Sequence, residues 1–335
     1  MPYTGLTDIT NPTSYGQYTS ELAITQSALM SSGAIIRSTA LDLIAAERGN
    51  VGQLPNFATS AWTAPDIVMD DTTSATITSV GGKPQIFQKD FVSKTWGTSE
   101  LADVVSGEDI LDAVAQNVVA PYFAETFNQY ALKKISGLLK DNAANDGGDM
   151  IKSVVNDVNS AVLDAERATF STFADAMQTM GDARSKIALI YMNSQVYTNM
   201  VKSDSGFSAP SDTVPFITYH GIPVILDDGL APVAGTYRPT YTTLLLGRGS
   251  IAFGEADLGE DGVALEKANL LGKGGGLKTL TVRKRFVLHP VGSASTATVA
   301  ANTASPTLAA YDSASAWDRV YSRKNVPIVA LKTNG

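Results

Sequence analysis

LKTLTVRKRFVLHPVG, residues 277–292, decides how the second half of this chain reads. Val282, Phe286 and Leu288 alternate with Arg283 and Arg285, the two-residue period of a strand, so both arginines fall on one strand face. Three more segments have the same short-strand character: HGIPVILDD at 220–228, YTTLLLGRGSIAFGE at 241–255 and WDRVYSRKNVPIVALKTNG at 317–335. Working backward, KIALIYM at 186–192 has the unbroken apolar look of a buried strand, and Ser194 to Lys202 predicts a short helix carrying Val196, Tyr197 and Met200. Helices are expected over Thr172 to Met180, ending at Gly181, and over Ser153 to Glu166. The SDSGFSAPSD stretch from Ser203, the VAGTYRP turn and the acidic, Gly-rich run 254–276 read as exposed loops.

The first half opens differently. Residues 1 to about 20 are rich in Thr, Tyr, Pro and Asn without a helical period, which predicts an extended arm. Residues 19–47 carry Leu22, Ile24, Leu29, Ile35, Ile36, Leu41 and Ile44 at loosely helical spacing, interrupted near Gly33 and stopped at Gly49. From Val51 to Trp96 the β-prone runs Ile67–Val68–Met69 and Ala75 to Val80, the Gly81–Gly82 turn and the alternation of Gln85 to Trp96 predict a long β-hairpin. An isolated two-stranded hairpin is marginal in water, so this one is expected to lie on another subunit. Ser106 and Asp109 match a capping box, and Ser106 to Lys140 predicts a long helix with a kink or break at Pro121.

With 335 residues, 44% of them apolar, the chain can build two or three compact units. Charged residues make up only 17%, which suits a protein whose outer surfaces are covered by neighbours. Twenty-five basic against 33 acidic side chains give a net charge of −8, which argues against nucleic acid as the main ligand. There is no cysteine, so disulfides and thiolate metal sites are excluded, and two histidines leave little material for a zinc or iron centre. The N-terminus lacks a basic-then-apolar signal pattern and no apolar run approaches about 18 residues. A soluble, non-secreted chain is expected.

Motifs for chemistry are weak. Asp227–Asp228, Glu255–Asp257 and Glu260–Asp261 lack the spacing of a calcium loop and read as solvated loop acids. Gly272–Lys273–Gly274–Gly275–Gly276 lacks the GxxxxGK-Ser/Thr pattern of a phosphate loop, and Leu277 stands where GxGxxG needs its last glycine. His220 and His289 have no nucleophile partner and read as turn or structural histidines. No catalytic, cofactor-binding or metal residue is therefore assigned. Arg283 and Arg285, and by the same reasoning Arg319, Arg323 and Lys324, are expected to form intersubunit salt bridges, given the acidic run near Glu255 to Asp261.

The order of arm, hairpin, long helix, inner strand and β-rich second half resembles the major capsid proteins of tailed bacteriophages. The resemblance implies an α+β phage capsid (Hong Kong 97-like) fold. Its expected divisions are an N-terminal arm and helix (1–48), an extended β-hairpin loop (49–98), a peripheral domain with a spine helix at about 106–140 and part of an axial domain (99–202), axial domain and connecting strands (203–276), and return strands (277–335). It implies a non-enzymatic shell protein in the virion, assembled in the bacterial cytoplasm as pentamers and hexamers. No cofactor and no membrane partner follow from it. A separate scaffolding protein, a portal, a decoration protein and non-specifically contacted double-stranded DNA are the implied partners. Phe87, Lys89, Phe91, Trp96, Arg283, Arg285, Arg319 and Arg323 are the candidate intersubunit contacts. The runners-up are an encapsulin-like compartment shell, which shares the fold, and a soluble hydrolase or carbohydrate-binding protein built on the acidic loops.

Overall fold

The computed structural model describes residues 28–55, 65, 82–106, 114–115, 117–159, 161–203, 206–209, 217–269, 276–296, 299 and 305–335. The first sheet is organised by one long strand, β13 (Leu277–Pro290). Along one edge it pairs antiparallel with β4 (Asp90–Ser99), from Leu277↔Ser99 to Phe286↔Asp90. Two strands share its other edge: β12 (Val263–Ala268) takes residues 277–282 and β11 (Ile251–Ala256) takes 285–290. β1 (Ile35–Arg37) extends the sheet in parallel with β11.

Over 280–286 the burial of β13 alternates as the sequence period requires: Leu280, Val282, Lys284 and Phe286 are buried, while Arg283 is exposed. From Val287 onward both faces are buried, because α2 (Thr39–Ala46) covers the outer face with Leu41, Ile44 and Ala45. That packing depends on Gly254, where an added Cβ would lie 2.4 Å from the Leu41 carbonyl carbon. The outer face is thus closed at the β11 end and open at the β4–β12 end.

The second sheet has the order β5 (Ile151–Ser153), β16 (Ile328–Thr333), β10 (Tyr241–Gly247), β6 (Ile187–Met192), β9 (Ile222–Leu226), β8 (Thr218–Tyr219), β7 (Phe207–Ser208). Its central strands are buried on both faces, which explains their unbroken apolar runs. Leu244, Leu246, Leu189 and Ile328 join one core cluster. Leu245, Val329, Ile190 and Met192 join another with Phe173, Ala176, Val196 and Met200 from α5 (Phe170–Gln178) and α6 (Ser194–Ser203).

Between the sheets lies α4 (Val119–Asn145), 27 residues and about 40 Å long. Phe123, Phe127, Ile135 and Leu138 put it in the same core cluster as the inner face of β13 and one face of the second sheet. Smaller elements complete the chain: α1 (Ala28–Ser31), α3 (Glu100–Ser106), α7 (Leu308–Tyr311), the ribbon β2 (Val51–Leu54) with β3 (Gln85–Gln88), and the pair β14 (Ser293–Ser295) with β15 (Trp317–Arg319).

At Gly137 an added Cβ would lie 1.9 Å from the Tyr311 carbonyl oxygen and 2.6 Å from Trp317 Nε1. Alanine gains about 1 kcal/mol of helix propensity over glycine, but a clash with fixed backbone outweighs it. Gly137→Ala is expected to lose about 2 kcal/mol net, measured as a lower denaturant midpoint.

Several expectations are corrected. The long helix starts at Val119, not Ser106, which closes α3; residues 107–113 lie outside the described set. Pro121 falls in the first turn of α4, where its missing N–H has no partner to lose, so α4 is one continuous helix there. Residues 19–47 form no single helix: α1, β1 and α2 divide 28–46. Ser153 to Glu166 is not helical apart from a short 3-10 turn at Asp164–Glu166. Tertiary bonds hold it extended: Val154 N–H donates to Lys332 O at 3.0 Å, and Asn156 N–H to Asn334 Oδ1 at 2.8 Å. The run 254–276 contains β12 instead of being loop throughout. Of the expected hairpin, the described residues give the β2–β3 pair, and Asp90–Ser99 pairs with β13. The arm at 1–20, the runs Ile67–Met69 and Ala75–Val80, and Gly272 to Gly275 lie outside the described residues.

Candidate intersubunit surfaces

Two of the expected contacts are interior residues. Phe87 is 3% exposed and stacks edge-on against His289, ring centroids 4.4 Å apart. Lys89 is fully buried at the step between β3 and β4, and its ammonium donates to the Glu47 carbonyl at 3.1 Å. Both lie within the protomer beneath α2. Trp96 is half-buried and faces inward, edge-on to Tyr122 at 5.5 Å.

Arg319 and Arg323 are engaged within the chain. Arg319 reaches Asp149 at 2.7 Å and Asp146 at 3.4 Å, binding β15 to the turn that follows α4. Arg323 donates to the carbonyls of Asp149 and Val326 and to Thr179 Oγ1, at 3.0, 2.6 and 3.0 Å. Each guanidinium therefore already acts as a clamp within the chain.

Phe91, Arg283 and Arg285 do lie together on the open outer face of the first sheet. Phe91 is exposed and carries the Arg285 guanidinium 5.8 Å above its ring; Arg285 also donates to Ala46 O at 3.2 Å. Arg283 donates to the Asp261 carbonyl at 3.2 Å. The remainder of that face is short and polar, with Thr95 and Thr281 hydrogen-bonded across the strands at 2.9 Å.

On the opposite side of α4, facing β10 and β16, lies a groove of about 820 Å³ floored by Leu132, Ile135, Leu139 and Leu244. Its rim carries Lys133, Lys140, Lys332, Asp228 and Asp312.

The reading by sequence missed the buried charges that join these surfaces. Lys134 on α4 meets Asp90 Oδ2 at 2.5 Å and Leu288 O at 2.9 Å, and the Tyr311 hydroxyl donates to Asp90 Oδ1 at 2.6 Å. Burial pushes the Asp90 pKa up and the Lys134 pKa down. Lys284 pairs with Glu255 at 3.1 Å, so Glu255 is a buried strand residue and not a solvated loop acid. Arg238 pairs with Glu166, whose pKa falls to about 2 through the Arg238 hydrogen bond and the Leu163 backbone N–H. A signal for Lys134 existed: it falls on the apolar stripe Phe127, Ala131, Ile135, Leu138 of α4. Nothing in the sequence marked Asp90.

His220 takes a left-handed φ of +47° in the turn between β8 and β9, and His289 is buried. Among the described residues no group of three His, Asp or Glu side chains is placed to hold a metal ion, and no helix is long and apolar enough to cross a membrane.

No protein-family model matches the sequence, and no curated protein matches it. Solved structures do. The capsid of Ralstonia phage GP4 superposes with a TM-score of 0.59 at 10% identity, covering 91% of this chain and 88% of that one. The cyanophage Pam1 capsid asymmetric unit gives 0.58 at 11% identity, covering 90% and 88%. The chain therefore has the α+β fold of tailed-phage capsid proteins, along nearly its whole length.

Proposed function

We propose that this chain is a major capsid protein, assembling as pentamers and hexamers into the icosahedral head of a tailed phage around double-stranded DNA. The observation that carries this reading is the end-to-end likeness of fold to two phage capsid structures. Two features fit such a role: a sheet face left open on one side of the long helix α4, and a groove on the other. Each contact between copies can be weak, because closure of many copies multiplies their effect. The net charge of −8 would keep packaged DNA from adhering to the wall. A separate scaffolding protein, a portal and a decoration protein are the expected partners, with assembly in the host cytoplasm and residence in the virion. The arm (1–48), hairpin loop (49–98), peripheral part (99–202), axial part (203–276) and return strands (277–335) are the divisions this role assigns. The chain is read as structural and not catalytic.

The chain should be expressed alone and together with the scaffolding candidate encoded beside it, then sized by light scattering and negative-stain electron microscopy. Closed shells or rings of pentamers and hexamers are the expected result. A particle that stays near the 35.2 kDa monomer under both conditions would overturn the reading.

A further inference from the structure

Three side chains form one row across the second sheet where it faces α4. Lys332 on β16 is in register with Thr242 on β10 and with Ser153 on β5, and in-register partners point to the same side of a sheet. All three line the groove of about 820 Å³ between α4 and this sheet. Lys332 and Thr242 are half-buried, and Ser153 is exposed. Among the described residues none of the three side chains has a hydrogen-bond or ion-pair partner. A half-buried ammonium without an anion, between two unengaged hydroxyls, suits a small anionic group.

The other charges of the groove do not neutralise this row. Lys133 and Lys140 share Asp312, at 3.2 and 2.7 Å, and Ser136 donates to the same carboxylate at 2.6 Å. Asp228 is turned to the Ser194 backbone N–H at 3.1 Å. Three ammoniums against two carboxylates leave one positive charge in the lining, which a monoanion matches. Beside the row the lining is aliphatic, with Leu132, Ile135 and Leu139 of α4 on one side and Leu230 and Leu244 on the other. From Leu132 to Ala143 it follows α4 for about 16 Å. Inorganic phosphate would leave the leucines wet, and a plain alkane would leave Lys332 without its anion.

We propose that this groove binds a long-chain carboxylate, with the head on Lys332 beside the Thr242 and Ser153 hydroxyls and the alkyl chain along Leu132, Ile135, Leu139 and Leu244. The site lies within a single protomer, so it stands or falls apart from the shell reading.

The test is isothermal titration of the full-length chain, unassembled and as shells, with octanoate, decanoate and laurate below their micellar concentrations. Affinity is expected to rise about two- to fourfold per added methylene, as burial of each CH₂ requires. Decanol should bind about tenfold more weakly than decanoate, because it lacks the charge that Lys332 meets. Lys332→Met, which keeps the apolar stem, should weaken laurate about tenfold, with Lys332→Arg close to wild type. Decanol equal to decanoate, or wild-type affinity in Lys332→Met, would overturn the anion site. An affinity independent of chain length would overturn the alkyl groove. Laurate bound by the unassembled chain and lost on assembly would give the groove to a neighbouring copy and overturn the ligand. Normal shells with no laurate bound by either form would remove the site and leave the shell reading intact. A chain that binds laurate yet never assembles would do the reverse.

Discussion

Replacing Lys134 by Met is expected to lower the free energy of unfolding by about 3–5 kcal/mol, because it leaves a buried carboxylate without its cation. The lysine joins four parts of the fold. It rises from the middle of α4, binds Asp90 at the start of β4, donates to Leu288 O on β13, and lies 4.3 Å over the ring of Tyr311. Its side chain is 2% exposed and that of Asp90 is 0% exposed, so water screens neither charge. Asp90→Asn should be costly for the same reason in reverse. The double change Lys134→Met with Asp90→Leu should recover most of the loss, since a buried pair and a well-packed apolar pair are often close in stability. The Tyr311 hydroxyl would then lack its acceptor, a residual cost of about 1–3 kcal/mol that Tyr311→Phe should remove. Denaturant titration of the unassembled chain measures all four variants. A loss below about 1 kcal/mol for Lys134→Met would show that the pair is not the desolvated ion pair described.

The second large effect is a loss of stability in mild acid that traces to His289. Its ring is enclosed by Phe87 and Trp317, and its Nε2–H donates to Ser293 O at 2.9 Å. Burial, reinforced by the nearby Lys134 charge, drops its pKa from 6.5 to about 3, against the weaker opposing pull of the Ser293 carbonyl. Above about pH 6.5 the ring is neutral folded or unfolded, and its full contribution is present. As pH falls toward 3 the unfolded chain takes up a proton that the folded chain refuses, so stability declines by about 1.4 kcal/mol per pH unit. Across the window the loss is on the order of 5 kcal/mol. Glu166 acts in the same direction at lower pH: its depressed pKa favours the folded chain above about 4.5, and that contribution fades as pH falls toward 2. The difference in stability between wild type and His289→Phe, followed from pH 7.5 to 4, isolates the histidine. Parallel curves for the two proteins would refute a buried neutral ring.

The elements legible in the sequence were those whose surroundings make their pattern redundant. β6 and β10 sit in the middle of a sheet with helices and strands on both faces, so their runs had to be apolar and their strand type could be read directly, although 241–255 divides into β10 and β11. α5 was legible as a helix over Thr172 to Met180; it starts two residues earlier, at Phe170, because Thr169 and Thr172 bond reciprocally at its first turn. Elements that misled were those decided by distant bonds. Val154 to Asn159 has the length for a helix, but the Asp157 carboxylate accepts the backbone N–H groups of Thr236, Tyr237 and Arg238, which fixes it as an extended tether. β12 looked like an acidic loop because four of its six residues are exposed at a sheet edge, where no apolar period is required.

The sequence by itself determined the buried strand β6, the strand character of 220–228, 241–255 and 277–292, the absence of thiol chemistry and the two-faced character of β13, with its arginines opposite its apolar row. All of these follow from local period and composition. Only the tertiary structure decided which charges are hidden. Lys89, Lys134, Lys284 and Glu255 look like surface residues in any local window, and become interior ones because α2, α4 and a neighbouring strand close over them. The same closure turned Phe87 inward, engaged Arg319 and Arg323 within the chain, and left the Thr- and Arg-bearing sheet face and the lysine-rimmed groove open. Burial is set by what packs against a residue from far along the chain, and a single strand of text does not record that distance.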